Sequence, residues 1–296
     1  MASEALGLLP GEGAEGARCT CAVRMNPVAN HSMLNVETTL RFGVFLALLV
    51  TLALAEYRWP RHSAPPQRTR RWLSNLGLAI INTLALRLLL PWLAVDAAIY
   101  AQVHGIGLLH WLTLTPAPSW LLTIIALDFL IYWQHRLLHL NGLLWRAHRV
   151  HHSDIALDAT SAVRFHPLEI LLSMGIKIPA VLLLGAPAAA VLLFEILLNG
   201  FALFTHANLT LPAHVECWLR CVLVTPEMHR IHHSILRDER DSNFGFHLSI
   251  WDRMFGSYRH VTRDAPESFR LGLPEFRTAH EQTLPALLMQ PFRSTD

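Results

Sequence analysis

The chain has 296 residues, a net charge of +2 and only 16% charged residues, against about 25% in an ordinary soluble domain. Mean hydropathy is +0.33 and 52% of residues are hydrophobic, so the composition points to a bilayer protein and away from a freely soluble one. No basic tract is long enough to argue for nucleic acid, and Cys19, Cys21, Cys217 and Cys221 have neither zinc-finger nor redox spacing.

In chain order, residues 1–33 are rich in Gly, Ala and Glu without an apolar run, and a disordered leader is expected there. They lack the charged-then-apolar pattern of a signal peptide. Apolar runs follow at Thr38–Ala55, Trp72–Val95 and Ser119–Leu138. Two more, Leu168–Leu184 and Pro187–Phe204, flank Gly185-Ala186-Pro187. A bilayer-spanning helix needs roughly 20 apolar residues, so each run is a candidate span, the last two either crossing fully or forming a re-entrant hairpin. Ala97–Leu114 is weakly amphipathic and is expected on the outer interface. From Asn208 the chain is polar, which predicts a cytosolic cap of short helices and loops. The expected fold is all-α: an integral-membrane helical bundle with a helical cap carrying a histidine-rich di-metal site.

Arg58, Arg61, Arg68, Arg70 and Arg71 crowd the loop between the first two spans, whereas Val95–Ser119 holds no Lys or Arg. The excess of positive charge predicts that the first loop is inside. The amino terminus is then outside, and the histidine clusters and carboxy terminus are cytoplasmic.

Of 18 histidines, eight fall into three clusters: His135/His139, His148/His151/His152 and His229/His232/His233. Spacings of three and four residues gather these imidazoles along one stripe of a helix. So many nitrogen donors in one place each need a partner, and metal coordination satisfies them together. Eight ligands exceed the four of a tetrahedral zinc site, which points to two ions, though imidazole by itself does not choose iron over other metals. H-E-x-x-H and E-x-x-H are both missing, which argues against a zinc protease and a bundle-type di-iron carboxylate site. Asp128 shares the face of His135 within an apolar run. It is expected to orient a ligating imidazole or, alternatively, to pair with Asn75, Asn82 or Arg87 of the second span.

The order H-x-x-x-H, H-x-x-H-H, apolar hairpin, H-x-x-H-H resembles the fatty acid hydroxylase and sterol desaturase superfamily over about Asp128 to Tyr258. Arg164-Phe-His166-Pro-Leu-Glu169, His206-Ala-Asn208, Asp241-Ser-Asn243-Phe-Gly245 and Trp251-Asp252-Arg253-Met-Phe-Gly256 look like its bacterial members and its alkylglycerol monooxygenase branch. The resemblance implies divisions at 1–33 (leader), 34–118 (N-terminal spans and interfacial segment), 119–260 (catalytic domain) and 261–296 (polar tail). It implies two non-haem Fe ions held by the eight clustered histidines, with O2 as co-substrate and a lipid as substrate in a bacterial inner membrane or its equivalent. His206 lies where related enzymes have a further histidine motif and joins the expected metal ligands. His166 joins them too, or else caps a helix beside Pro167. Asp241 and Asn243 look like anchors around the ligands, while His247 and His260 are expected to be surface or structural. Electrons must come from a separate reductase or a diffusible reductant, because the chain shows no G-x-G-x-x-G nucleotide fold and no haem-attachment C-x-x-C-H. The competing reading is a membrane metal transporter or metal-binding protein, although transporters place polar ligands at mid-membrane, not at span ends.

Overall fold

A computed structural model describes residues 27–63, 67–112, 114–265 and 268–294, and all regular elements among them are helical. The chain forms two units, Met1–Thr39 and Leu40–Asp296. The described part of the first is the start of helix α1 (Pro27–Arg58), which therefore begins inside the stretch expected as leader. Residues 1–26 of that expected leader lie outside the described residues.

Five segments are long and apolar enough to cross a membrane: Glu37–Arg58, Arg68–Trp111, Pro116–Leu140, Pro167–Leu184 and Ala188–His206. This is an integral membrane protein. Rows of apolar side chains point outward, such as Leu46, Val50 and Leu54 on α1 and Ile80, Leu84 and Leu88 on α2 (Arg68–Leu89). An apolar surface on this scale is stable only against lipid.

α2 stops short of the expected Val95 because Pro91 forces Leu90 into an extended conformation (φ −113°, ψ 123°). The chain resumes as α3 (Ala94–His104) and a single turn, α4 (Leu108–Trp111). One face of this region, expected at the outer interface, is covered by protein. Ala94, Ala97, Ala98 and Ala101 are fully buried, with α3 packed against α7 (Pro167–Leu184) and α8 (Ala188–His206). Single-methyl side chains let helices approach closely, so an alanine face is an interior face in a membrane bundle. At the far end of the bundle a Cβ on Gly107 (φ +103°) would lie 2.2 Å from the Gly185 nitrogen. The α3–α4 turn and the α7–α8 turn thus touch backbone to backbone, which only glycine permits.

α5 (Pro116–Leu140) packs with α7 and α8 around Leu127, Ile131, Met174, Val181, Val191 and Phe194. α7 and α8 have 18 and 19 residues. At 1.5 Å per residue each is about 28 Å long, close to the hydrocarbon thickness of about 30 Å. The hairpin therefore leaves and returns at one end of the bundle, the end where α5 finishes.

That end is fastened by buried polar groups on α2. Arg71 donates to Asp154 at 2.7 and 2.8 Å, to Asp158 at 2.9 Å and to the Ala156 carbonyl. Asn75 reaches Thr160 Oγ1 at 3.0 Å and Asn82 the Phe165 carbonyl at 2.9 Å, so these asparagines hold the 154–165 loop and not Asp128. Glu56, at the end of α1, accepts from Ala159 N at 2.7 Å and Asn208 N at 3.0 Å.

The cap consists of α9 (Ala213–Leu219), α10 (Pro226–His232), α11 (Arg237–Arg240), α12 (Ile250–Met254) and α13 (Leu284–Met289). Within the segment expected as a polar tail, Leu287 packs with Leu78 and Val150 in a buried cluster. The Gln290 and Arg293 carbonyls both accept from Arg149 Nη2 at 2.5 Å. Leu284, Leu287 and Leu288 form an i, i+3, i+4 stripe, which is enough to seat one short helix.

Candidate metal centre

Local sequence sets each histidine on a helix end. α5 carries His135 and His139. α6 (Gly142–His152) starts where Asn141 Oδ1 accepts from Leu143 N and Leu144 N, and it carries His148, His151 and His152. His206 ends α8. α10 starts at Thr225-Pro226, with Thr225 Oγ1 accepting from Met228 N, and carries His229 and His232, with His233 just after it.

These nine side chains, all buried, gather into two groups whose candidate ligand atoms lie within 4.8 Å of one another. One group is His135, His139, His148, His152 and His232, and the other is His151, His206, His229 and His233. The two H-x-x-H-H boxes contribute in opposite senses. The box on α6 gives its i and i+4 histidines to the five-membered group and its i+3 histidine to the other. The box on α10 does the reverse.

Hydrogen bonds at Nδ1 fix several rings. His135 donates to the Phe244 carbonyl at 2.8 Å and His232 to the Ser242 carbonyl at 2.7 Å. His148 donates to Glu169 Oε1 at 2.7 Å, His139 to Asp241 Oδ1 at 3.2 Å and His206 to the Ala202 carbonyl at 2.7 Å. Nδ1 of His151, His152, His229 and His233 is buried without a hydrogen-bond partner. Burial and the neighbouring imidazoles hold the pKa of each of these four rings well below that of ordinary histidine. Burial takes His232 down to about 3, although its bond to the Ser242 carbonyl opposes the shift. Rings in this state are neutral at physiological pH, the form that ligates.

The consequence is decisive for the chemistry. In a neutral ring that donates through Nδ1, Nε2 carries a bare lone pair. His135 Nε2 and His232 Nε2 face each other at 3.0 Å with both Nδ1 atoms committed to carbonyls. No proton is left to lie between them, so the contact is repulsive unless a cation occupies the common focus. Similar Nε2–Nε2 separations link His148 to His152 (3.2 Å), His151 to His206 (3.0 Å), His206 to His229 (3.0 Å) and His229 to His233 (3.1 Å). Imidazole ligands at about 2.0–2.1 Å from one ion and at right angles would be about 3.0 Å apart. The donor set therefore fits two metal ions.

Residues 120–257 match the family model described as fatty acid hydroxylase. The chain is 32% identical to ornithine lipid hydroxylase of Rhizobium tropici over 51% of this chain and 44% of that protein. It is 28% identical to alkylglycerol monooxygenase of Xenopus tropicalis over 72% of this chain and 46% of the relative. Identity to the Homo sapiens alkylglycerol monooxygenase is also 28%, over 68% and 43% respectively. The chain thus spans less than half the length of these relatives. No solved structure matches it.

Of the thirteen residues singled out in the sequence for the site, nine histidines meet in the two groups, and four residues lie elsewhere within residues 120–257. His166 is corrected: its Nδ1 accepts from Leu168 N at 3.1 Å as the cap of α7, and Nε2 donates to the Leu288 carbonyl at 3.2 Å. Both nitrogens are spent, so no lone pair is left for a metal. Asp128 is corrected as well. It contacts no clustered histidine and instead accepts from His247 Nδ1 at 2.6 Å and Trp251 Nε1 at 2.8 Å. His247, expected at the surface or in a structural role, is buried. Asp241 holds His139, as above. Asn243 touches none of the nine rings. Its amide donates to the Met228 and Arg259 carbonyls, and its left-handed backbone (φ 52°) separates the Ser242 and Phe244 carbonyls that receive His232 and His135.

Glu169, quoted above only as part of a motif, holds His148. Its signal was available in the sequence: a carboxylate in the first turn of an apolar helix rarely sits there without a partner. The carbonyls of Ala202, Ser242 and Phe244 had no signal, since a main-chain acceptor is not written in residue type.

Proposed function

We propose that this protein is a membrane-bound di-iron oxygenase that hydroxylates a C–H bond of a lipid, using O2 and electrons from outside the chain. The observation that carries the reading is the pair of bare Nε2 lone pairs of His135 and His232, 3.0 Å apart, within two groups that gather nine buried histidines. Two iron ions, held by His135, His139, His148, His152 and His232 and by His151, His206, His229 and His233, would supply activation of O2. The chain's own share is to bind and orient. Glu169, Asp241 and the three carbonyls keep the Nδ1 protons in place so that Nε2 stays free. The buried helix ends exclude water from the reacting region.

A lipid substrate is supported by the relatives' own names, an ornithine lipid hydroxylase and an alkylglycerol monooxygenase, and by five apolar segments that open onto bilayer. A cytoplasmic centre is supported by the arginine-rich 58–71 loop, whose Arg61 N bonds the Asn208 carbonyl and whose Arg71 holds the loop after α6. Electrons then arrive from a separate reductase or a diffusible reductant on that side.

Lipid profiles of cells with the intact protein and with His152→Ala, grown with and without O2, test the reading. A lipid class gaining one oxygen atom only with the intact protein and O2 is the expected result. Identical profiles in all four conditions would sink it.

A further inference from the structure

Asp128 and His247 form a buried pair that the two histidine groups do not use. Four N–H donors converge on the Asp128 carboxylate. His247 Nδ1 lies at 2.6 Å and His247 N at 3.3 Å from Oδ1, and Trp251 Nε1 at 2.8 Å and Leu248 N at 3.3 Å from Oδ2. Acting as acceptor at each, the carboxylate fixes the His247 tautomer with hydrogen on Nδ1, so Nε2 carries the lone pair. That nitrogen is buried and has no hydrogen-bond partner, in a residue only 7% exposed.

Its surroundings are aromatic. The ring lies 5.5 Å from Phe194, 4.9 Å from Phe201 and 5.9 Å from Phe246 between centroids. Phe246 also meets the ring of His135 at 6.5 Å, which makes it the wall between His247 and the five-histidine group. Asp128 precedes His135 by seven residues on α5, about 10 Å along the helix axis, and Phe194 and Phe201 precede His206 on α8. The acceptor therefore lies deeper in the bundle than the histidine groups, in its apolar interior. Hydrogen-bond acceptors buried among apolar groups are costly unless something donates to them. The convergence of donors on Asp128 keeps this one aimed.

We propose that His247 Nε2 accepts a hydrogen bond from a hydroxyl carried part way along the lipid chain, and that Asp128 holds the imidazole in the tautomer that can do so. The contact selects hydroxylated over plain chains and sets which carbon lies against the histidine groups. It rests on the lipid-oxygenase reading above and adds to it a chemical feature of the substrate.

The test offers metal-loaded full-length protein in nanodiscs an equimolar mixture of methyl stearate, methyl 12-oxostearate and methyl hydroxystearates with the hydroxyl at carbon 3, 7 or 12. Retained lipid is quantified by mass spectrometry. One hydroxystearate should be enriched about fivefold over methyl stearate, the size of one net hydrogen bond, while the ketone, which cannot donate, should not be. His247→Phe should erase the preference with metal content unchanged, and His247→Gln, whose amide oxygen still accepts, should keep part of it. No enrichment of any hydroxystearate, an equal enrichment of the ketone, or a preference that survives in His247→Phe overturns the proposal while the lipid-oxygenase reading stands. Retention of none of the esters by the unaltered protein overturns both.

Discussion

Replacing Glu169 isolates one link between the membrane helices and the five-histidine group. Glu169 Oε1 accepts from His148 Nδ1 at 2.7 Å, with both side chains buried. Glu169→Leu leaves a buried N–H without an acceptor, which costs about 1–3 kcal/mol. At 1.4 kcal/mol per factor of ten, that corresponds to roughly 5- to 140-fold weaker metal binding, overlapping the 10–100-fold losses usual for such supporting partners. Glu169→Gln keeps a neutral acceptor and gives up only the charge-assisted part, about 1 kcal/mol, so a loss of about fivefold is expected. The assay is chelator competition on protein stripped of metal and reloaded with Co(II), alongside a thermal melt. His148 belongs to one group only, so one of two metal equivalents should weaken while the other keeps its affinity. Equal affinity for both equivalents in Glu169→Leu would refute the reasoning, as would equal weakening of both.

Adjacent histidines should behave as members of different sites: His151→Ala and His152→Ala should each bring bound metal down from two equivalents to one, with different residual Co(II) spectra. Identical spectra would contradict the division into two groups. Arg71→Met should destabilise the protein by about 3–5 kcal/mol, because it strands Asp154 and Asp158 without their buried partner. Arg71→Lys should rescue little of this, since an ammonium does not reproduce the two-pronged contact, and denaturant titration in detergent measures both. Asp128→Asn should lower stability by about 2 kcal/mol, the difference made by charge-assisted bonds, while both metal equivalents remain. Loss of one equivalent in this variant would restore the role first expected for Asp128.

While His206 was reached only through the family resemblance, the sequence by itself determined the helical class, the apolar spans and the eight histidines of the three boxes. Those features are local: a run of apolar residues has a length, and spacings of three and four residues put side chains on one stripe whatever surrounds the helix. The assignment of each histidine to a site was not local. His151 and His152 are neighbours in sequence but point about 100° apart around α6, and only the packing of α5, α8 and α10 decides which group each joins. The same holds for Asp128. Its helix face was readable, but its partner His247 is 119 residues away and reaches it because the cap folds back onto α5. His166 had the residue type of a ligand, and the Pro167 after it marked a helix start, yet only the position of the Leu288 carbonyl shows that both nitrogens are taken. Ala97–Leu114 read as weakly amphipathic, and only the tertiary fold shows that a neighbouring hairpin closely approaches its face of methyl groups. Spacing along one helix fixes which side chains share a direction. What they meet there depends on contacts between distant segments, which the tertiary fold supplies.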